Sequence, residues 1–379
     1  MKLPDFPWDS LAPVKERASS AVVPDGLGLV DLSVGTPVDP TPEVVQEALR
    51  SASNAPGYPQ TWGTPALREA VAAWFAERRG VPDVDPDGVL PTIGSKELVA
   101  WLPTLMGLGA GDVVGFPSVA YPTYDVGARL AGAAPLAVDG LAALGPLTPA
   151  TTPKLLWLNT PGNPTGQVLG VEHLAKVVDW ARRHGVVVAS DECYAELDWR
   201  EDRRAGEPPT TPSILDPRVT GGSHEGLLCI YSLSKQSNLA GYRAAFVAGD
   251  PALVRRLLEV RKHAGMIPPW PVQVALTAAV SDSSHVEEQK ARYAARRAVL
   301  LPAVREFGLE VTHSEAGLYL WASAGEDAWV TLDRLAARGI LAAPGTFYGP
   351  ASGQHVRIAL TADDEHIAAA AARLAAPGA

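Results

Sequence analysis

The stretch LLWLNTPGNPTGQVLGVEHLAKVVDWARRHGVVVASDECY, residues 155–194, decides the fold. Its first run, LLWLN at 155–159, and its late run, VVVAS at 186–190, are apolar almost throughout, so each reads as a strand covered on both faces. Between them Leu174, Val177, Val178 and Ala181 recur at helical spacing, and Gly185 follows a basic last turn as a stop signal. Strand, crossover helix and strand make the repeating unit of a parallel sheet.

Working outward, LLCIY at 227–231 and AAFVAG at 244–249 have the same character. From about residue 90 to 250, apolar runs ending in Gly, Pro, Asn or Asp alternate with helical stretches. The expected fold class is therefore α/β, with a large domain on a mostly parallel central sheet. Past residue 262 the pattern changes: QKARYAARRAVLLPAVREFG reads as a helix, VTHSEAGLYLWAS alternates, and a further helix, HVRIAL and an Ala-rich helix follow. These predict a smaller α+β domain. The expected division is 1–40 as an N-terminal segment joining the small domain, 41–261 as the large ligand-binding domain and 262–379 as the small domain.

Composition bounds the function. The 379 residues are 47% hydrophobic and 20% charged, an ordinary globular balance. A net charge of −10 repels phosphate backbones and anionic lipid, so neither nucleic acid nor a membrane is an expected partner. Two cysteines, Cys193 and Cys229, without a C-x-x-C argue against a disulfide framework. With no leader-like or membrane-length apolar run, the expected location is cytoplasmic. Eight histidines include no H-E-x-x-H, so no metal site is expected.

Polar residues cluster directly after the apolar runs. LLWLN leads to Asn163 in a Pro/Gly turn, VVVAS to Asp191 and Tyr194, and LLCIY to Ser232, Ser234 and Lys235, with Arg243 eight residues on. Ser95 and Lys96 open a helix in PTIGSKELVAWL, which Pro103 should kink or end early. In open α/β sheets ligands bind beyond the carboxyl ends of the strands, where these groups converge. A helix N-terminus, two serines and an arginine make a cradle for a single phosphate. A lysine beside it, disfavoured as an ammonium by burial, is suited to a Schiff base, and an aspartate opposite is suited to a protonated ring nitrogen. Together these describe pyridoxal 5′-phosphate.

The motifs NTPGNPTG, SDECYAEL, YSLSKQSNLAGYR and HVRIAL, in this order, resemble the class I/II aminotransferases of fold type I. The resemblance implies that Lys235 is the Schiff-base lysine and acid/base, that Asp191 partners the pyridine nitrogen, and that Asn163 and Tyr194 partner the ring oxygen. It implies a phosphate cradle of Ser95, Lys96, Ser232, Ser234 and Arg243, with Tyr121 stacked on the ring and Tyr58 reaching the neighbouring subunit's phosphate in a homodimer with shared sites. Arg357 is then the arginine for the substrate α-carboxylate, and Gly35 the backbone wall beside it. More narrowly, LPDFPWDSLAP, LSVGTPVDPTP, GYPQTWGTPALR, EAGLYLW and APGTFYGP resemble the actinobacterial N-succinyldiaminopimelate aminotransferases of lysine biosynthesis. That resemblance implies L-glutamate and 2-oxoglutarate as one ping-pong pair, and N-succinyl-LL-2,6-diaminopimelate and N-succinyl-2-amino-6-oxopimelate as the other.

Rivals remain on the residues alone: an aspartate or other amino-acid aminotransferase, a C–S lyase using the same lysine and aspartate, or a DNA-binding regulator on an aminotransferase-like body. Ser232 to Lys235 formally reads S-x-x-K, but no S-D-N or K-T-G follows. Cys193 reads as a small buried thiol and ARYAARRA as a solvated helix face. Residues 200–226 read either as a loop near the entrance or as a plain connection. Arg129, Arg261 and Lys262 are candidates for a distal carboxylate by charge alone.

Overall fold

The computed structural model describes residues 3–145, 147–148, 150–200 and 210–376, and within them thirteen strands form three sheets. In chain order these are β1 (Val30–Asp31), β2 (Val89–Ile93), β3 (Val113–Phe116), β4 (Ala134–Ala137), β5 (Leu155–Asn159), β6 (Val187–Asp191) and β7 (Leu227–Ser232). They continue with β8 (Ala244–Gly249), β9 (Glu310–Val311), β10 (Tyr319–Ser323), β11 (Ile340–Leu341), β12 (Ala343–Pro344) and β13 (His355–Ala359). Seven strands make the central sheet, in the order β2-β8-β7-β6-β5-β3-β4. All run one way except β8, which is antiparallel to both its neighbours.

The uniformly apolar runs report burial on two faces and not strand direction, which is why AAFVAG reads like its parallel neighbours. Leu156 and Leu158 of β5, Cys229 and Tyr231 of β7 and Phe246 of β8 enter one core. Leu155, Trp157, Leu228, Ile230 and Val247 enter the other. The period of two survives as a choice between cores, invisible as polarity. Helices Pro65–Arg79, Val171–His184 and Trp270–Val280 cover the first face; Ser95–Leu105, Thr123–Ala131 and Pro251–Ala264 cover the second. Val171–His184 buries the predicted Leu174, Val177, Val178 and Ala181, and ends at left-handed Gly185.

Helix Ser95–Leu105 runs two residues past Pro103 instead of breaking before it. The lost bond falls in the last turn, where only the Val99 carbonyl goes without its i+4 donor. That carbonyl lies against Gly127 of the next helix, where an added Cβ would come within 2.8 Å.

The second sheet, β12-β13-β10-β9, is antiparallel, and β1 pairs in parallel with β11. Leu11, Val14, Ala18, Val30 and Leu32 pack into the core beneath it. The ARYAARRA stretch is only half solvated: in helix Ser284–Glu306, Tyr293 and Arg296 are buried. Asp39 and Asp364 neutralise Arg296 at 2.6 and 2.7 Å, partners too distant in sequence for local charge patterning to reveal. In the 200–226 segment, residues 201–209 lie outside the described residues, while Thr210, Thr211, Ser213 and Ile214 are buried and the Ile214 N–H donates to Glu192. Among the described residues no helix is long and apolar enough to cross a membrane.

Candidate active site

One edge of the central sheet gathers the polar groups. β2 delivers Ser95 and Lys96 through the helix they open; β5 delivers Asn159 and, through its turn, Asn163. Asp191 closes β6, and Ser232 closes β7 just before Ser234 and Lys235. Because β8 runs backwards, its first residue lies at this same edge, and Arg243 immediately precedes it. The small antiparallel sheet closes the space from above with Arg357 on β13 and Tyr319 on β10. The resulting cavity is about 420 Å³ and is lined by all the sequence-predicted site residues except Tyr58. Tyr58 is fully exposed and reaches no part of this cavity within its own chain.

The charges are arranged without compensation. Asp191 is 8% exposed and accepts hydrogen bonds from the Tyr124 hydroxyl at 2.9 Å and the Cys193 N–H at 3.3 Å. Burial pushes its carboxyl above the usual carboxylate range against those two bonds, and no cationic side chain is recorded against it among the described residues. Arg357 is 3% exposed; it donates to Asn163 Oδ1 at 3.0 Å and the Ser33 carbonyl at 2.7 Å, and its Nε has no partner. Burial opposes that charge, but the surrounding hydroxyls of Tyr348, Tyr319 and Tyr194 keep its pKa above the ordinary arginine value. Half-buried Lys235 donates from Nζ to the Gly35 carbonyl, and desolvation lowers its pKa below the ordinary lysine value, with Arg357 and Arg243 adding repulsion and Tyr319 opposing.

Arg243 adopts a left-handed backbone, φ 55°, a conformation costing about 1–3 kcal/mol that recurs at ligand clamps. Its guanidinium packs on Gly94 at the helix start, where any side chain would overlap it. Glycine at 94 therefore lets a cation lie beside the free N–H groups of Ser95 and Lys96. Ser232 and Ser234 bond each other at 2.9 Å on the other flank. The cavity thus offers an anion cradle at one end, an unpaired carboxylate for a cationic ring atom, a primary amine and a guanidinium for a carboxylate. That donor set fits a pyridine ring bearing a phosphate, an aldehyde and a protonated nitrogen.

Several members escape sequence reading. Tyr124 stands three residues after Tyr121, one helical turn away, which is its one sequence signal. Asn159 accepts the Asn163 N–H at 2.7 Å and donates to the Asp191 carbonyl at 3.0 Å; a polar residue ending an apolar strand was the clue. Tyr319 stacks its ring under the Arg357 guanidinium at 3.9 Å and meets the Tyr194 hydroxyl at 3.2 Å. Phe6 and Trp8 line the cavity from an aperiodic segment, LPDFPWDSLAP, whose resemblance assigned no site role to either. Arg129, Arg261 and Lys262 lie outside it, paired with Asp125, Glu97 and Glu259. Cys193 is a buried free thiol, pushed well up by desolvation.

Residues 28–374 match the family described as aminotransferase class I and II. The chain is 56% identical to the 4-dedimethylamino-4-oxo-anhydrotetracycline transaminase OxyQ of Streptomyces rimosus, over 98% of this chain and 99% of that one. It is 58% identical to a probable aminotransferase of Mycobacterium tuberculosis, covering 98% and 85% of the two chains. Among solved structures, a probable N-succinyldiaminopimelate aminotransferase from Thermus thermophilus superposes with a TM-score of 0.83 at 30% identity, over 98% and 99% of the chains. The uncompensated charges at one sheet edge and these likenesses agree: the chain belongs to the class I and II aminotransferases, fold type I enzymes that use pyridoxal 5′-phosphate.

Proposed function

We propose that this aminotransferase passes an amino group between L-glutamate/2-oxoglutarate and N-succinyl-LL-2,6-diaminopimelate/N-succinyl-2-amino-6-oxopimelate, a step of lysine biosynthesis. One observation carries the site reading: a buried carboxylate, Asp191, and a buried guanidinium, Arg357, share one cavity with Lys235, and neither has an ion-pair partner among the described residues. The likeness to the Thermus structure supports the succinylated substrate.

In this reading Ser95 and Lys96 backbone N–H groups, Ser232, Ser234 and Arg243 would hold the cofactor phosphate, and Tyr121, Asn163 and Tyr194 would hold its ring. Asp191 would favour a protonated ring nitrogen, with Tyr124 bonded to Oδ2 and the Cys193 N–H to Oδ1 holding the carboxylate in place. The bound cofactor supplies an electron sink that makes the substrate α-C–H acidic. Lys235, its ammonium disfavoured by burial, takes that proton at Nζ and returns it. Arg357 holds the substrate α-carboxylate beside the Gly35 backbone. Tyr58 comes from a second copy of the chain, so the working unit is a homodimer. For the division of the chain, the packing of helix Trp270–Val280 on the central-sheet core and of helix Ser284–Glu306 on helix Asp364–Ala375 favours a boundary between these two helices over one at the expected residue 262.

A second acceptor class is favoured by a largely apolar cavity of about 650 Å³ that meets the site at Phe6, Trp8, Lys96 and Tyr121. It has room for a bulky ring ketone, and OxyQ is named for such a compound. A panel of the succinylated amine, aspartate, an aromatic amino acid and a polycyclic ketone, each run against glutamate or 2-oxoglutarate, decides between them. Turnover of the succinylated amine above the others is expected. Preference for aspartate or the ketone overturns the substrate, and release of pyruvate and ammonia from a cysteine conjugate overturns transamination.

A further inference from the structure

The turn that carries Lys235 is bolted to a helix from the far end of the chain. Ser237 is wholly buried, and its Oγ lies 2.8 Å from His285 Nε2. His285 Nδ1 in turn lies 2.8 Å from Asp282 Oδ2. The carboxylate draws the ring proton to Nδ1, leaving Nε2 to accept from the serine hydroxyl. The order serine, histidine, aspartate is that of a hydrolase relay, but Ser237 Oγ has no route to a substrate, so the relay here holds structure. Desolvation raises the Asp282 carboxyl, yet its bonds from His285 and Ser284 hold it down to about 2.

The next residue repeats the arrangement. Asn238, held left-handed at φ 54°, donates to Gln289 Oε1 at 2.9 Å and to the Pro40 carbonyl at 3.1 Å. Gln289 donates to Asp39 Oδ2 at 2.8 Å, and Arg296 grips the same carboxylate through two bonds at 2.6 and 2.8 Å. His285, Gln289 and Arg296 lie along helix Ser284–Glu306, so one helix holds both the Lys235 turn and the segment at 39–40. That segment begins four residues after Gly35, whose carbonyl receives Lys235 Nζ. Both ends of the lysine's one recorded hydrogen bond are thus referred to one rigid element.

We propose that His285 is a positioning residue for Lys235, fixing the amine through Ser237 with Asp282 orienting the ring. The inference rests on the reading of Lys235 as the proton-carrying amine. A proton transfer is sensitive to sub-ångström placement of the amine, whereas substrate carboxylate binding at Arg357 is remote from this relay.

The test uses holoenzyme carrying Ser237→Ala, His285→Ala, His285→Gln or the Ser237→Ala/His285→Ala pair, with Lys235→Ala as the control. Expected are a fall in kcat of about tenfold for either alanine variant, KM for glutamate within about twofold, and a shifted pH midpoint of the resting cofactor absorbance. The double variant should be no worse than the poorer single one, since both act through one chain. Gln places an amide where Nε2 stood and should recover part of the loss. Unchanged kcat and spectral midpoint with only a lowered Tm would overturn the inference. A Lys235→Ala spectrum matching the parent enzyme would instead overturn the role of Lys235 itself.

Discussion

At the residue scale, the decisive property is a charge placed where burial disfavours it. Lys235 titrates below its ordinary value of 10.5 because desolvation penalises its ammonium. Between that lowered value and 10.5 the unfolded chain carries a proton that the folded chain has released, so unfolding takes up a proton and stability rises with pH across that window. Lys235→Met removes the contribution. The cofactor-free variant should therefore be more stable than its parent at the low end of the window, and its advantage should shrink as pH climbs toward 10.5. Urea unfolding at a series of pH values checks this; an advantage that stays constant with pH would show that packing alone is responsible. The same logic makes Arg357 legible: an arginine inside the apolar run HVRIAL predicts an anionic ligand, and the structure places it in the cavity with an unpartnered Nε. Its stacking partner Tyr319 was not legible, because ring over guanidinium is a relation between two strands that no single segment encodes.

At the scale of elements, β6 carries function on one side and stability on the other. Asp191 faces the cavity, and the next residue, Glu192, forms a fully buried ion pair with Arg79 of helix Pro65–Arg79 at 2.7 Å. Glu192 also accepts the Ile214 N–H at 2.7 Å, tying down the segment that leads into β7. Breaking such a pair leaves an uncompensated buried charge, which costs about 3–5 kcal/mol. Glu192→Gln should lower stability by about that amount in urea titration, and Arg79→Met in the same chain should restore much of it. A Glu192→Gln protein as stable as the parent would mean that Arg79 finds another carboxylate. Helix Val171–His184 and its glycine stop were readable from spacing alone, as were the apolar strands. The reversal of β8 was not, since hydropathy is blind to direction, yet that reversal is what brings Arg243 to the active edge.

At the scale of the whole molecule, one described chain builds the cavity but leaves Tyr58 fully exposed and outside it. In the proposed homodimer that hydroxyl completes the neighbour's phosphate cradle. Tyr58→Phe should leave the oligomer intact by light scattering and raise the dissociation constant for the cofactor at least tenfold, by about 1.5–3 kcal/mol for one lost hydrogen bond to a charged group. Unchanged cofactor affinity in an intact dimer would remove Tyr58 from the site, and full activity in a monomer would remove the sharing. By itself the sequence determined the layered α/β architecture and which strand-end polar residues meet in the cavity, because burial on two faces, turn chemistry and motif spacing are local properties written along the chain. Only the tertiary structure decided how the site is held: the Tyr124 bond to Asp191, the Gly94 notch for Arg243 and the His285 relay each join segments distant in sequence. Such contacts arise when strand ends and helix starts are brought to one edge by packing, and nothing in the spacing of either segment records its partner.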